Sequence, residues 1–192
     1  MNREEAKLIV REFVTKESLI NHMLAVEAAV RFYANYFNED QELWGICGLL
    51  HDFDYEIHPD LDRHPDDGAF LLRERNVPEE IIQAILSHGV HSGIPRDNLL
   101  RKTLFACDEV TGLITACALV RPSRSLLDME VPSVKKKWKD KAFAAGANRN
   151  EIAMGAQELG IDLWEHINNV LQAMKLIANE LSLDGSLSNT GK

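Results

Sequence analysis

Apolar residues recur every three to four positions along almost the whole chain, the period of helices that bury one face. No segment alternates apolar and polar residues as a half-buried strand would. The spacing predicts helices near residues 3–15, 17–37, 40–53, 66–76, 78–91, 97–120, 132–143, 149–158 and 161–182. Pro78 followed by Glu79 and Glu80 is a favourable helix start, with proline in the first turn and acids at the positive end of the helix dipole. Asn38-Glu-Asp, the 54–65 segment, "SGIPRDN" and "RPSRS" read as breaks between helices. The expected fold is therefore all-α. We expect one compact multi-helix domain over 1–182 and a short flexible polar tail, "LDGSLSNTGK", over 183–192.

Histidines fall on the apolar faces of these helices. His22 shares a stripe with Val26, Ala29, Val30 and Tyr33; His51 follows Trp44, Cys47 and Gly48; His88 follows Ile81, Ala84 and Ile85. Asp108 lies within "TLFACDEVTGLITACALV", a helix apolar around most of its circumference. Each residue taken singly has an ordinary explanation, since a lone core histidine or aspartate is usually just hydrogen-bonded. Four of them on four helices, with Asp52 beside His51, would be a costly collection of desolvated polar groups unless something paired with them. Imidazole nitrogens and carboxylate oxygens together suit a divalent transition ion such as Mn, Fe, Co, Ni or Zn. The absence of thiolates from the set disfavours a structural zinc site.

Composition narrows the alternatives. The 30 acidic residues outnumber the 21 basic ones, for a net charge of −9, which argues against a general nucleic-acid-binding surface. The longest apolar run, Leu113–Val120, is far too short to span a bilayer. The start, "MNREEAKLIVREF", carries acids early and does not read as a signal peptide. Cys47, Cys107 and Cys117 sit singly in apolar runs and read as core thiols. These features together lead us to expect a soluble, cytoplasmic protein of unknown oligomeric state.

The order His22 … His51-Asp52 … Asp108 resembles the H…HD…D signature of the HD-domain superfamily of metal-dependent phosphohydrolases, in particular its small HDIG-type members. The surrounding motifs agree: "NHMLAVEAAV", "GLLHDFDYE", "RHPDDGAFLL", "IIQAILSHG" and "ACDEVTGL". The resemblance covers about residues 17–120. It implies His22, His51, Asp52 and Asp108 as metal ligands, with His64 and His88 at the places of two further histidines found in dinuclear members. Two ions are then expected, with Asp52 bridging them. His58 is expected to be a bystander. The pattern departs from HDIGK after the dipeptide, where Asp54 stands instead. Asp54 could orient a ligand histidine, accept a proton in catalysis with Asp52, or simply cap a helix end. There is no GYP motif, so cyclic dinucleotide cleavage is not expected.

The implied chemistry is hydrolysis of a phosphoester or phosphoanhydride in a small phosphorylated substrate, a nucleotide being one candidate, by hydroxide generated at the ions near neutral pH. The phosphate would need further cations. In "VKKKWKDKAFAAGANR", six basic residues accompany one acidic residue. If the helix runs on to 143, Lys141 falls about 20° from the core position Val134, and Lys137 about 60° away. Lys137, Lys141, Arg121 and Arg149, with His91 near the ligands, are the candidate substrate contacts, and Ser123 and Arg124 are secondary ones. A solvated lysine-rich face is the plain alternative. Two other classes stay open at this level: a di-iron oxygenase resembling myo-inositol oxygenase, and a metal- or nucleotide-binding regulator without turnover.

Overall fold

Local signals in the chain set where the helices begin. Asn2 and Glu5 form a reciprocal capping box that starts α1 (Arg3–Phe13). α2 (Glu17–Phe37) ends at Asn38, whose left-handed backbone suits asparagine. The Asp40 carboxylate then caps α3 (Gln41–Leu50) by accepting from the Glu42 and Leu43 amides. α4 (Asp66–Glu74) and α5 (Glu79–Leu86) each carry two acids in the first turn. α6 runs unbroken over Leu99–Leu119. α7 (Val131–Trp138), α8 (Arg149–Leu159) and α9 (Leu163–Leu176) follow, the last two capped by Asn148 and Asp162.

The computed structural model describes residues 1–60 and 62–186. Among these the fold is all-α, a multi-helix bundle without strands, and one isolated bridge joins Ser125 to Asp184. The chain divides into two compact units, Met1–Phe105 and Ala106–Lys192. No helix among the described residues is long and apolar enough to cross a membrane.

In the first unit α3 packs on α2, α1 and α5. The α2–α3 approach is close enough that a Cβ on Gly48 would stand 2.9 Å from the Glu27 Cα, so only glycine fits there. Glu27, itself buried on α2, is paired by two guanidinium groups. Arg3 Nε and Nη2 donate to Oε1 and Oε2 at 2.6 and 2.8 Å, and Arg31 Nε donates to Oε1 at 2.9 Å. A buried carboxylate is tolerable on those terms. Met23, Val26, Val30 and Tyr33 of α2 and Ile46, Leu49 and Leu50 of α3 fill the core between them.

In the second unit a Cβ on Gly155 of α8 would stand 2.6 Å from the Ala106 Cα on α6. Trp138 of α7 meets Trp164 of α9 edge to face. Ile152, Ile167, Val170, Leu171 and Met174 are fully buried. The three cysteines are free and buried, and burial raises the pKa of each thiol, which fits core thiols.

Several helices stop earlier than their periodicity predicts. The 40–53 segment leaves the helix at Leu50 and continues as tight turns through Ile57, with Phe53, Tyr55 and Ile57 amides each donating three residues back. The 78–91 helix ends at Leu86, and a short 3-10 turn follows at Val90–Ser92. α7 stops at Trp138 because the Asp140 carboxylate accepts from the Ala142 and Phe143 amides, a local turn that competes with the helix. α9 stops at Leu176. Leu183, expected in the flexible tail, is buried, and its carbonyl accepts from the Leu126 amide at 2.8 Å. Residues 187–192 of that expected tail lie outside the described residues.

His166 is a histidine of the second unit that periodicity alone does not distinguish. It is fully buried, and its Nε2 donates to the Ala106 carbonyl at 2.8 Å. Burial disfavours the imidazolium and holds its pKa down at about 4, against the opposing effect of that hydrogen bond. The folded value lies below the unfolded one, near 6.5, so the contribution of neutral His166 is present at neutral pH and is lost as pH falls through that window. The stability advantage of the wild type over His166→Gln should therefore shrink by about 2 kcal/mol between pH 7 and pH 5. Urea denaturation of both proteins at the two pH values measures it.

Candidate metal centre

The centre is built where α2, the end of α3 and the two following connections meet within the first unit. His22 projects half-buried from α2, and His51 is the fully buried C-cap of α3. Asp52 comes next in the turn. His64 precedes α4, and His88 lies just past the end of α5, both buried. Because α3 and α5 end before these residues, their side chains leave the helix ends rather than continuing a helical stripe.

The imidazoles form two pairs. The Nε2 atoms of His22 and His51 are 3.2 Å apart, and those of His64 and His88 are 3.3 Å apart. Asp52 stands between the pairs with one oxygen toward each. Its Oδ2 is 3.6 Å from the Nε2 of both His22 and His51. Its Oδ1 is 3.2 Å from His64 Nε2 and 3.6 Å from His88 Nε2. Asp52, His64 and His88 together offer ligand atoms that all lie within 4.8 Å of one another.

This donor set fits divalent ions. Two nitrogens bound to one ion at about 2.1 Å sit roughly 3.0–3.4 Å apart for right-angle to tetrahedral coordination, which spans both observed separations. The far side of the rings is arranged for the same purpose. His51 Nδ1 donates to the Gly48 carbonyl at 2.8 Å, His88 Nδ1 donates to the Ile85 carbonyl, and His64 Nδ1 donates to Asp54 Oδ1 at 2.9 Å. With the proton on Nδ1, each Nε2 presents a lone pair to the centre. Two such lone pairs facing across 3.3 Å repel unless a positive charge lies near both. A proton competes for that place: burial lowers the pKa of His64, but the carboxylates of Asp52 and Asp54 outweigh it and push it up to about 10. A divalent ion held by His64 would have to compete with that proton, so its binding would weaken in acid.

Five of the six ligands expected from the sequence, His22, His51, Asp52, His64 and His88, are thus drawn together within one unit. Asp108 lies in the second unit, three residues past Phe105 on the unbroken helix α6, and is half-buried. Asp54 is fully buried and meets His64 on its Nδ1 side, one ring away from Asp52. His58, expected as a bystander, has its Nδ1 3.5 Å from Asp54 Oδ2. His91 Nε2 donates to the His64 carbonyl at 3.0 Å. Tyr55, which sequence reasoning passed over, lies edge-on to the His64 ring and is 42% exposed. An aromatic beside a histidine nine residues away has no periodic signature, so nothing in the sequence pattern could have singled it out.

The candidate substrate contacts all lie in the second unit apart from His91. Helix geometry singled out Lys141 on the expectation that α7 reaches 143. α7 ends at Trp138, so that angle does not apply. Lys141 is exposed at the edge of a groove of about 890 Å³ that Trp138, Lys139 and Asn148 also line. Lys137 Nζ lies 4.8 Å over the Phe143 ring. Arg149 donates to the carbonyls of Phe143, Ala144 and Ala147, bracing the connection before α8. Arg121 donates to Ser133 Oγ and the Asp128 carbonyl, and pairs with the Asp128 carboxylate at 2.8 Å. Ser123 donates to Asp128 as well, and Arg124 is exposed.

Residues 19–113 match the model of the family described as HD domain. Taken with the His/Asp clusters, this match makes the chain a member of the HD-domain superfamily of metal-dependent hydrolases. The matched stretch runs from the start of α2 into α6 and includes every expected metal ligand. No solved structure gives a significant match to the chain.

An ion that binds only the folded centre stabilises it by about 2.7 kcal/mol at a concentration a hundred times its dissociation constant. Saturating Mn²⁺ should therefore raise the thermal midpoint of the chelator-treated protein by several degrees, and His88→Ala should lose much of that increment. Differential scanning calorimetry with and without the ion checks both.

Proposed function

We propose that this protein is a metal-dependent phosphohydrolase that cleaves a phosphoester or phosphoanhydride bond of a small phosphorylated metabolite, with a nucleotide as the leading candidate. The observation that carries the reading is Asp52, whose two oxygens face two separate histidine pairs. Membership of the HD superfamily supports it. His22 and His51 would hold one divalent ion, His64 and His88 a second, and Asp52 both. We assign Asp108 to the first position from the H…HD…D order of the sequence alone.

Divalent ions held there supply Lewis acidity toward phosphate oxygens and lower the pKa of a water molecule toward neutrality. The chain's own part is to fix the donors beforehand. Backbone carbonyls at Gly48 and Ile85 hold the tautomers of His51 and His88. Burial of His51, His64 and His88 keeps bulk water from competing for their nitrogens. Half-buried His22 and Asp52 lie at the more accessible side, where a phosphate can approach.

The test is to purify the protein, count its bound metal, and assay phosphate release anaerobically. Phosphomonoesters, nucleotides and dinucleoside polyphosphates are offered with Mn²⁺, Fe²⁺, Co²⁺ and Ni²⁺ in turn. Phosphate release with at least one substrate and metal is expected. No release in any metal state, or substrate-dependent oxygen uptake by the iron-loaded protein instead, would overturn the reading. With an active substrate in hand, Asp52→Asn should lower kcat/KM by on the order of a hundredfold or more, since both ion positions share that carboxylate.

A further inference from the structure

Asp54 is a fully buried carboxylate that the proposed hydrolysis does not itself use. A buried carboxylate persists only with partners, and those of Asp54 are both histidines. Its Oδ1 accepts from His64 Nδ1 at 2.9 Å, while its Oδ2 stands 3.5 Å from His58 Nδ1. Neither Asp54 Oδ2 nor His58 Nδ1 has a hydrogen bond among the described residues, and both atoms are buried. The two are thus separated by slightly more than a hydrogen bond, with a small shift sufficient to close it. Gly68 completes the cradle: a Cβ there would stand 2.5–2.9 Å from the carboxylate atoms of Asp54. Beyond His58 the chain of charges continues to Asp67, 4.0 Å from His58 Nε2, and from Asp67 to Arg63 at 2.7 Å.

The histidines of the centre are not anchored alike. His51 and His88 give their Nδ1 protons to main-chain carbonyls, whereas His64 gives its proton to a side-chain carboxylate. A carboxylate is the stronger acceptor, so it both fixes the ring against a flip and makes the opposite nitrogen a better ligand. Flipping the His64 ring would withdraw Nε2 from Asp52 Oδ1 and His88 Nε2, its neighbours at 3.2 and 3.3 Å.

We infer that Asp54, backed by His58, is a positioning pair that orients His64 and thereby sets the affinity of the second metal position while leaving the first unaffected. It acts through His64, one ring removed from the ions, so it is a positioning residue and not a catalytic one. The inference rests on the two-ion reading above.

The experiment titrates Mn²⁺ into metal-free wild type, Asp54→Asn and His58→Gln by calorimetry, with electron paramagnetic resonance to detect coupled Mn²⁺ pairs and circular dichroism to verify the fold. Wild type should bind two ions. Asp54→Asn should bind the second ion 10- to 100-fold more weakly, the range expected for losing such an outer partner, with the first affinity unchanged and the pair signal reduced. His58→Gln, at a residue with some solvent exposure, should weaken the second ion several-fold and decides the matter should Asp54→Asn misfold. Two wild-type affinities in a folded Asp54→Asn, equal weakening of both ions, or an unchanged His58→Gln would overturn the inference but not the hydrolase reading. A wild type that binds a single ion also overturns the inference. A wild type that binds none would overturn both.

Discussion

Everything at the centre depends on four imidazole nitrogens being held within reach of one carboxylate. His64 and His88 bring their Nε2 atoms to 3.3 Å, and His22 and His51 bring theirs to 3.2 Å. His51, His64 and His88 are tethered from behind, and Asp52 supplies negative charge on both sides, so the cluster favours a positive charge between its nitrogens. The surrounding burial then makes a positive charge worth more inside the cluster than it would be in water. A divalent ion would meet that demand with the separations already in place.

The scaffold serves this arrangement through close backbone approaches and early helix endings. Gly48 lets α3 lie against the backbone of α2, and its carbonyl anchors His51 one turn later. α3 and α5 both stop just before their histidines, and the Gly48 and Ile85 carbonyls there accept from the imidazoles, Ile85 from the His88 amide as well. Gly68 leaves room for Asp54 behind His64. Substituting any of these glycines would disturb a ligand without touching one.

His166 offers the internal contrast. It is as buried as His51, and its Nε2 donates to the Ala106 carbonyl; burial outweighs that hydrogen bond, so its pKa is depressed. His64, between Asp52 and Asp54, is shifted the opposite way. Burial alone therefore does not distinguish a core histidine from a site histidine; the charge of the surrounding groups does.

The period of apolar residues was sufficient for the all-α class and for the existence of each helix, because burying one face of a helix leaves a mark every three to four residues. The order of His22, His51-Asp52, His64, His88 and Asp108 was sufficient for the superfamily. Helix ends were less legible: the side chain of Asp140 ends α7 at Trp138, which removed the geometric argument for Lys141. The same holds for Leu183, whose backbone pairs with Leu126 fifty-seven residues away. Periodicity reports which face of a helix is buried but says nothing about which polar atom lies opposite another. Only the tertiary structure could decide that Asp54 stands behind His64, that His58 backs it, and that the two oxygens of Asp52 are divided between two histidine pairs. Those relations arise from contacts between separate segments, and no local pattern in the chain encodes them.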